Sequence, residues 1–361
     1  MKIDLPDFPW DSLAEDKARA AAHPGGIVDL SVGTPVDPVP DVVRAALAGP
    51  AAAEPGYPTT HGTADLREAV AGAVARRFHV TVDPVAVLPT IGSKELVAWL
   101  PTLLGLGAGD TVVIPELAYP TYEVGARLAG AEFVRADSTT ALGPQRVALV
   151  WLNSPSNPTG RVLPVEHLRK VVAWARERGA VLASDECYLS LSRDAHSVLH
   201  PDVCGGSHEG LLAVHSMSKT SNLAGYRAGF VTGDPALVAE LLEVRKHAGM
   251  IVPRPVQAAM TAAASDDAHV QAQVETYARR RAQLRVALEG AGLRVEHSEA
   301  GLYLWATAGE DSRLTVRRLA AQGVLVAPGE FYGPAGAQHV RVALTATDER
   351  IAAAAERLTA A

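Results

Sequence analysis

The sequence holds little cysteine and few aromatics: two cysteines, Cys187 and Cys204, and 5% Phe, Trp and Tyr in 361 residues. Two thiols cannot form a disulfide framework or a cysteine metal cluster, so the fold must rest on its core, as in a reduced, cytoplasmic protein. The 12 histidines are scattered, and no metal site is expected from them. No apolar run approaches the length of a membrane span. The opening "MKIDLPDFPWDSLAEDK" has neither the basic nor the apolar stretch of a secretory signal. A net charge of −7 argues against nucleic acid or an anionic membrane as partner. There is no GxxxxGK[ST] phosphate loop. The glycines of "GLGAGD" (105–110) follow a helical pattern and precede a strand, the reverse of a dinucleotide-binding turn.

What is present is a chain 48% hydrophobic and 20% charged, enough for one large or two moderate domains with a sizeable core. From Val85 onward, β-branched apolar runs alternate with amphipathic stretches. "VAVLPT", "TVVIPE", "VALVWLN", "AVLASDE", "LLAVHS" and "YRAGFVTG" read as strands, and "SKELVAWLPTLL", "YPTYEVGARLAG" and "PVEHLRKVVAWARERG" as helices. Continuous apolar strands between helices predict an α/β fold with a mainly parallel sheet covered on both faces. After Pro253 a long helical pattern leads to the short strands "GLYLWAT", "VLVAPG" and "HVRVALT", a smaller α+β unit. The expected organisation is an N-terminal arm joining the small domain (1–39), a large domain (40–265) and a small C-terminal domain (266–361). The "ARRR" cluster, Ala278 to Arg281, reads as a solvated helix face, and Cys187 as a small core residue.

Several chemistry-bearing motifs end predicted strands. "NSPSNPTG" follows "VALVWLN", "SDECY" ends the next strand and "HSMSK" the one after, while "TIGSKE" reads as strand, glycine turn and helix start. Ligands of open α/β sheets sit beyond the carboxyl ends of strands, so Asn157, Asp185, Tyr188 and Lys219 should converge in one crevice. A helix start such as that at Ser93 offers free N–H groups to a phosphate. Singly, each motif has a plainer reading: a turn for "NPTG", a cap for Asp185, loop hydroxyls for Ser216 and Ser218. Ser216-Met217-Ser218-Lys219 also matches the SxxK nucleophile motif of penicillin-binding proteins, although the supporting SDN and KTG elements are missing.

The combination of "NPTG", D-x-x-Y and S-x-S-K followed by "YR" resembles the class I aminotransferases of fold-type I, which use pyridoxal 5'-phosphate. The likeness runs from "SVGTPVDP" through "GYPTTHGTADLREAV" to "HVRVAL". It implies a seven-stranded-type sheet in a large cofactor domain beside a smaller α+β domain. Lys219 would bond the cofactor aldehyde and later carry a proton between the substrate α-carbon and cofactor C4′. Asp185 would hold the pyridine nitrogen protonated, and Asn157 and Tyr188 would hydrogen-bond the 3′-oxygen. Tyr119 would stack on the ring, or else be a core tyrosine. The phosphate would lie on the Ser93 and Lys94 N–H groups, the Ser216 and Ser218 hydroxyls and Arg227. Tyr57 would reach it from a neighbouring subunit, which implies a homodimer. Arg341 would take the substrate α-carboxylate, with Gly33 against it.

The N-terminal segment, "ASDECYLSL" and "GEFYGPAG" further resemble the succinyldiaminopimelate aminotransferases of lysine biosynthesis, which exchange an amino group with glutamate and 2-oxoglutarate. Arg254, in "IVPRPVQ", is then a candidate for the distal end of the substrate, or else a solvated loop arginine. Aspartate or aromatic aminotransferases and a C–S β-lyase remain open on the same cofactor site.

Overall fold

The computed structural model describes residues 5–138, 142 and 146–360. Residues 1–4 of the expected arm, residue 361 of the expected small domain and the remaining residues between 139 and 145 lie outside this range.

The strands in chain order are β1 (Val28–Asp29), β2 (Val87–Ile91), β3 (Thr111–Ile114), β4 (Glu132–Arg135), β5 (Val147–Asn153), β6 (Val181–Asp185) and β7 (Leu211–Ser216). They continue with β8 (Ala228–Gly233), β9 (Arg294–Glu296), β10 (Tyr303–Thr307), β11 (Val324–Leu325), β12 (Ala327–Pro328) and β13 (Val340–Ala343). A seven-stranded sheet runs β2-β8-β7-β6-β5-β3-β4. Strands β3 to β7 pair in parallel, and β8 lies antiparallel to both β7 and β2. Every residue of β3 and β8 is buried, because helices cover both faces. The helices Ser93–Leu103, Thr121–Ala129 and Pro235–Ala248 close one core. The helices Ala64–Phe78, Val165–Glu177 and Arg254–Ser265 close the other.

The sheet is thus α/β and mostly parallel, as the alternating pattern predicts. The reversal at β8 has a simple cause. Residues 217–227 join β7 to β8 as a loop with no crossover helix, so the chain returns antiparallel from the same sheet edge. That loop carries both Lys219 and Arg227.

A third core gathers buried residues from 277 to 358 with Leu13, Ala20, Val28 and Leu30 of the N-terminal segment and Cys187, Tyr188 and Leu191 just beyond β6. Its antiparallel sheet runs β12-β13-β10-β9, and β1 pairs in parallel with β11. The 23-residue helix Ala268–Gly290 packs along Asp348–Thr359. Here one expectation fails in part. Ala278 and Arg279 of the "ARRR" cluster are exposed, but Arg280 is only 3% exposed and pairs with Asp37 and Asp348, while Arg281 donates to the Gly301 carbonyl. Asp37 lies in the segment after Gly33, too far along the chain for helical spacing to reveal the pair.

Candidate active site

The carboxyl ends of β5, β6 and β7 bring the motifs together. Asp185 closes β6, buried, and its Oδ1 accepts the Cys187 N–H at 3.2 Å. Its Oδ2 accepts the Tyr122 hydroxyl at 2.8 Å. Burial raises the Asp185 pKa, and these two donors counter the rise. Asn153 ends β5; its amide donates to the Asp185 carbonyl and its Oδ1 accepts the Asn157 N–H at 2.7 Å, tying "NSPSNPTG" to the neighbouring strand end.

Lys219 donates to the Gly33 carbonyl at 2.7 Å. Burial foremost, then the Arg341 and Arg227 guanidiniums against an opposing pull from Cys187, bring its ammonium down to about 8. Gly33 admits no side chain, since a Cβ there would fall 2.1 Å from the Tyr303 hydroxyl. That hydroxyl lies 3.2 Å from the Tyr188 hydroxyl.

Arg341, on β13, is 2% exposed. It donates to Asn157 Oδ1 at 2.9 Å and to the Ser31 carbonyl at 2.7 Å, while its Nε finds no acceptor. Its guanidinium stands 3.9 Å from the Tyr303 ring centroid, 4.9 Å from Tyr332 and 5.8 Å from Trp10. Among the described residues no carboxylate pairs with it. A buried cation without a counter-charge costs several kcal/mol, so this site favours an incoming anion.

At the opposite end of the crevice, the helix Ser93–Leu103 begins at Gly92, whose φ is +72°. A Cβ on Gly92 would lie 2.4 Å from Arg227 Nη2, so only glycine lets the guanidinium rest on this helix start. The turn is braced from behind: Glu95 Oε2 accepts the Ile91 N–H, and fully buried Arg245 holds the same carboxylate at 2.8 Å. Ser216 Oγ accepts the Ser218 N–H at 3.1 Å beside it. Lys94 is exposed; its ammonium has no hydrogen-bond or ion-pair partner among the described residues and lies 5.8 Å from the Phe8 centroid. Partial desolvation by its neighbours, then Arg227, lowers its pKa.

Sequence reasoning missed Tyr122, which follows Tyr119 by three residues in "YPTY"; that spacing on a helix start was the available signal. The two rings meet edge-on at 5.9 Å, and burial pushes the Tyr119 phenol up to about 12. Trp10, Tyr303 and Tyr332 were also missed, since each belongs to a separate distant segment. Cys187 sits between both worlds, buried yet near Asp185, Ser93 and Lys219.

Two expected residues stand apart from this cluster. Tyr57 is 96% exposed, and its carbonyl accepts Arg254 Nη2 at 3.2 Å. Arg254 itself pairs with Glu54 at 2.6 Å. His196 and His200, spaced as HxxxH, stack edge-on at 5.0 Å, and the described residues include no group of three or more metal-ligating side chains.

A probable aminotransferase of Mycobacterium tuberculosis is 68% identical over 99% of this chain and 86% of its own length. The 4-dedimethylamino-4-oxo-anhydrotetracycline transaminase OxyQ of Streptomyces rimosus is 64% identical over 99% of each chain. Among solved structures, a probable N-succinyldiaminopimelate aminotransferase of Thermus thermophilus superposes with a TM-score of 0.87 at 30% identity, covering 98% of this chain and 100% of the other. The profile of the family "Aminotransferase class I and II" matches residues 26–358. The chain therefore belongs to the class I and II aminotransferases, enzymes that work with pyridoxal 5'-phosphate.

Proposed function

We propose that this aminotransferase exchanges an amino group between N-succinyl-LL-2,6-diaminopimelate and 2-oxoglutarate, a step of lysine and diaminopimelate biosynthesis. What carries the reading is Arg341, a buried cation with no carboxylate partner among the described residues; Lys94, exposed at the helix start, pairs with none either. Both substrates bear an α-carboxylate and a second carboxylate further out, and two unpaired cations suit that pattern. The likeness to the Thermus protein supports the same choice.

The cofactor fits the residues present. The Gly92 turn, the helix start and Arg227 would cradle its phosphate, and the Ser93 and Lys94 N–H groups and the Ser216 and Ser218 hydroxyls would bind it. Asp185 would face the ring nitrogen, Asn157 and Tyr188 the 3′-oxygen, and Tyr119 one ring face. When bound, pyridoxal 5'-phosphate supplies an aldehyde that links to an amine and a ring that accepts an electron pair. The rest of the chemistry belongs to the chain. Lys219, its pKa already low, would take the proton from the substrate α-carbon and deliver it to C4′ of the cofactor, across the intervening nitrogen. Arg341 would orient the donor through its α-carboxylate, with Gly33 leaving room, and Lys94 would hold the distal carboxylate. Tyr57, exposed here, and Arg254, partly buried against Glu54, would serve the site of a partner subunit in a homodimer, and the enzyme would act in the cytoplasm.

A second reading rests on the aromatic wall. The Trp10 ring lies tilted against Phe8 at 5.5 Å and Phe331 at 5.4 Å, a surface suited to a planar apolar acceptor. The likeness to OxyQ, a transaminase named for an oxo-anhydrotetracycline, favours it. A panel of donors with 2-oxoglutarate, and of ketone acceptors with glutamate, decides. The proposal expects the succinylated donor to give a kcat/KM at least tenfold above aspartate, phenylalanine and free diaminopimelate. An aromatic donor or a fused-ring ketone in first place selects the second reading.

A further inference from the structure

Behind the crevice lies a buried acid–imidazole pair that the reaction does not use. Glu186 follows Asp185 and points to the opposite face of the sheet, where it is 2% exposed. Its Oε1 accepts the Val198 N–H at 2.7 Å, and the Ser184 and Ser197 hydroxyls lie near the carboxyl. Its Oε2 has no hydrogen-bond partner, nor has Nε2 of buried His215, and these two orphaned atoms face each other at 3.5 Å. The His215 ring is clamped between Phe78, at 5.5 Å and 8°, and Phe230, at 4.8 Å and 22°. Both residues line a cavity of about 30 Å³, room for a bridging water, together with Arg77, Cys187, Ser216 and Thr220.

Two bare polar atoms pointed at each other in an apolar setting would each cost about 1–3 kcal/mol, and a proton between them, or a water in the cavity, removes that cost. We propose that Glu186 and His215 hold one proton between them, as a neutral positioning pair that locks the end of β6, with Asp185, to the end of β7, with Ser216. The charged and titratable groups around the pair are few. From its own strand end come Asp185 and Cys187, and from the helix Ala64–Phe78 comes Arg77, already engaged by Asp267. The helix Arg254–Ser265 contributes only Ala264 to the cavity. Burial, against the Val198, Ser197 and Ser184 donors and with a push from Asp185, moves the Glu186 carboxyl up to about 7. Burial alone moves His215 down to about 3.

The sign of the linkage is distinctive. Between the ordinary values of 4.5 and 6.5, an unfolded chain carries one proton on His215 and none on Glu186, while the folded pair also carries one, on Glu186. The counts match, so this pair gives wild-type stability no slope with pH in that window. Single substitutions break the match in opposite directions. In Glu186→Gln the folded chain refuses the proton that unfolded His215 takes up, so stability falls as pH drops below 6.5. In His215→Gln the folded chain keeps a proton that unfolded Glu186 releases, so stability falls as pH rises from 4.5 toward 7.

The experiment is denaturant unfolding of the holoenzyme, with cofactor in excess, from pH 5 to 8 for wild type, both single variants and the double variant. The expected result, relative to wild type, is a folding constant that changes up to about tenfold per pH unit, with opposite signs in the two single variants and no slope in the double variant. Parallel pH curves for all four proteins would overturn the shared proton, because a merely structural contact shifts every pH equally. If one single variant fails to fold, the slope of the other against wild type decides alone. Cofactor retention on dialysis reads the positioning role: Glu186→Gln, which keeps the neutral shape, should retain it, and Glu186→Ala should release it several-fold faster. Equal retention in both would overturn that part.

Discussion

Tyr122 shows how much of the site depends on single hydrogen bonds. Its hydroxyl is one of two donors to a buried carboxylate, and a hydrogen bond to a charged group is worth about 1.5–3 kcal/mol. Tyr122→Phe should lower kcat roughly 10- to 100-fold with the cofactor still bound. Steady-state kinetics beside the cofactor spectrum check this, and unchanged kcat would detach Tyr122 from the work of Asp185. Lys219 makes a prediction in pH. Its folded pKa of about 8 lies below its ordinary 10.5, so the folded chain binds fewer protons than the unfolded one between those values. The cost of burying the ammonium is in full force below pH 8 and is relieved as pH rises from about 8 to 10.5. Apoenzyme stability should therefore rise across that interval relative to Lys219→Met, as pH-dependent denaturant unfolding would show. In the same range, borohydride should fix the cofactor to the peptide bearing Lys219 and to no other lysine.

At the scale of elements, the site is a set of strand and helix ends, and that explains what could be read from sequence. Asn157, Asp185, Ser216 and Lys219 follow apolar runs whose strand character is local, so their convergence follows from the parallel sheet alone. The phosphate-type turn was legible for the same reason, as glycine between a strand and a helix. Its bracing was not: Arg245 reaches Glu95 across 150 residues, and nothing in either neighbourhood announces the pair. The aromatic box around Arg341 was hidden likewise, because Trp10, Tyr303 and Tyr332 meet only after the N-terminal segment has joined the small sheet through β1 and β11. The Gly92 turn gives this scale its test. Gly92→Ala puts a methyl within 2.4 Å of Arg227 and asks alanine to hold a φ of +72°. Strain of this kind costs about 1–3 kcal/mol, so cofactor affinity should fall roughly 5- to 150-fold. Fluorescence titration of the apoenzyme with pyridoxal 5'-phosphate would measure it; an unchanged Kd would mean that the helix start and Arg227 do not act together.

At the scale of the whole molecule, Tyr57 is the residue that a single chain leaves unexplained. A tyrosine 96% exposed gains nothing from burial within its own subunit, and Arg254, tied to Glu54 and to the Tyr57 carbonyl, holds the same stretch outward. If a partner subunit receives Tyr57, each site draws Lys219 from one chain and Tyr57 from the other. Subunit mixing can then tell a shared site from a private one. Lys219→Ala homodimers should be inactive, and Tyr57→Ala homodimers should bind cofactor weakly. In a mixed dimer, one site collects both substitutions and the other collects neither. Random exchange makes about half of all dimers mixed, so a mixture of the two variants should recover about a quarter of wild-type activity at limiting cofactor. Sites confined to one chain would give no recovery beyond the residual activity of the Tyr57→Ala subunits. Recovery that grows with time of subunit exchange, at a cofactor concentration where neither variant works alone, would place the catalytic unit in the dimer.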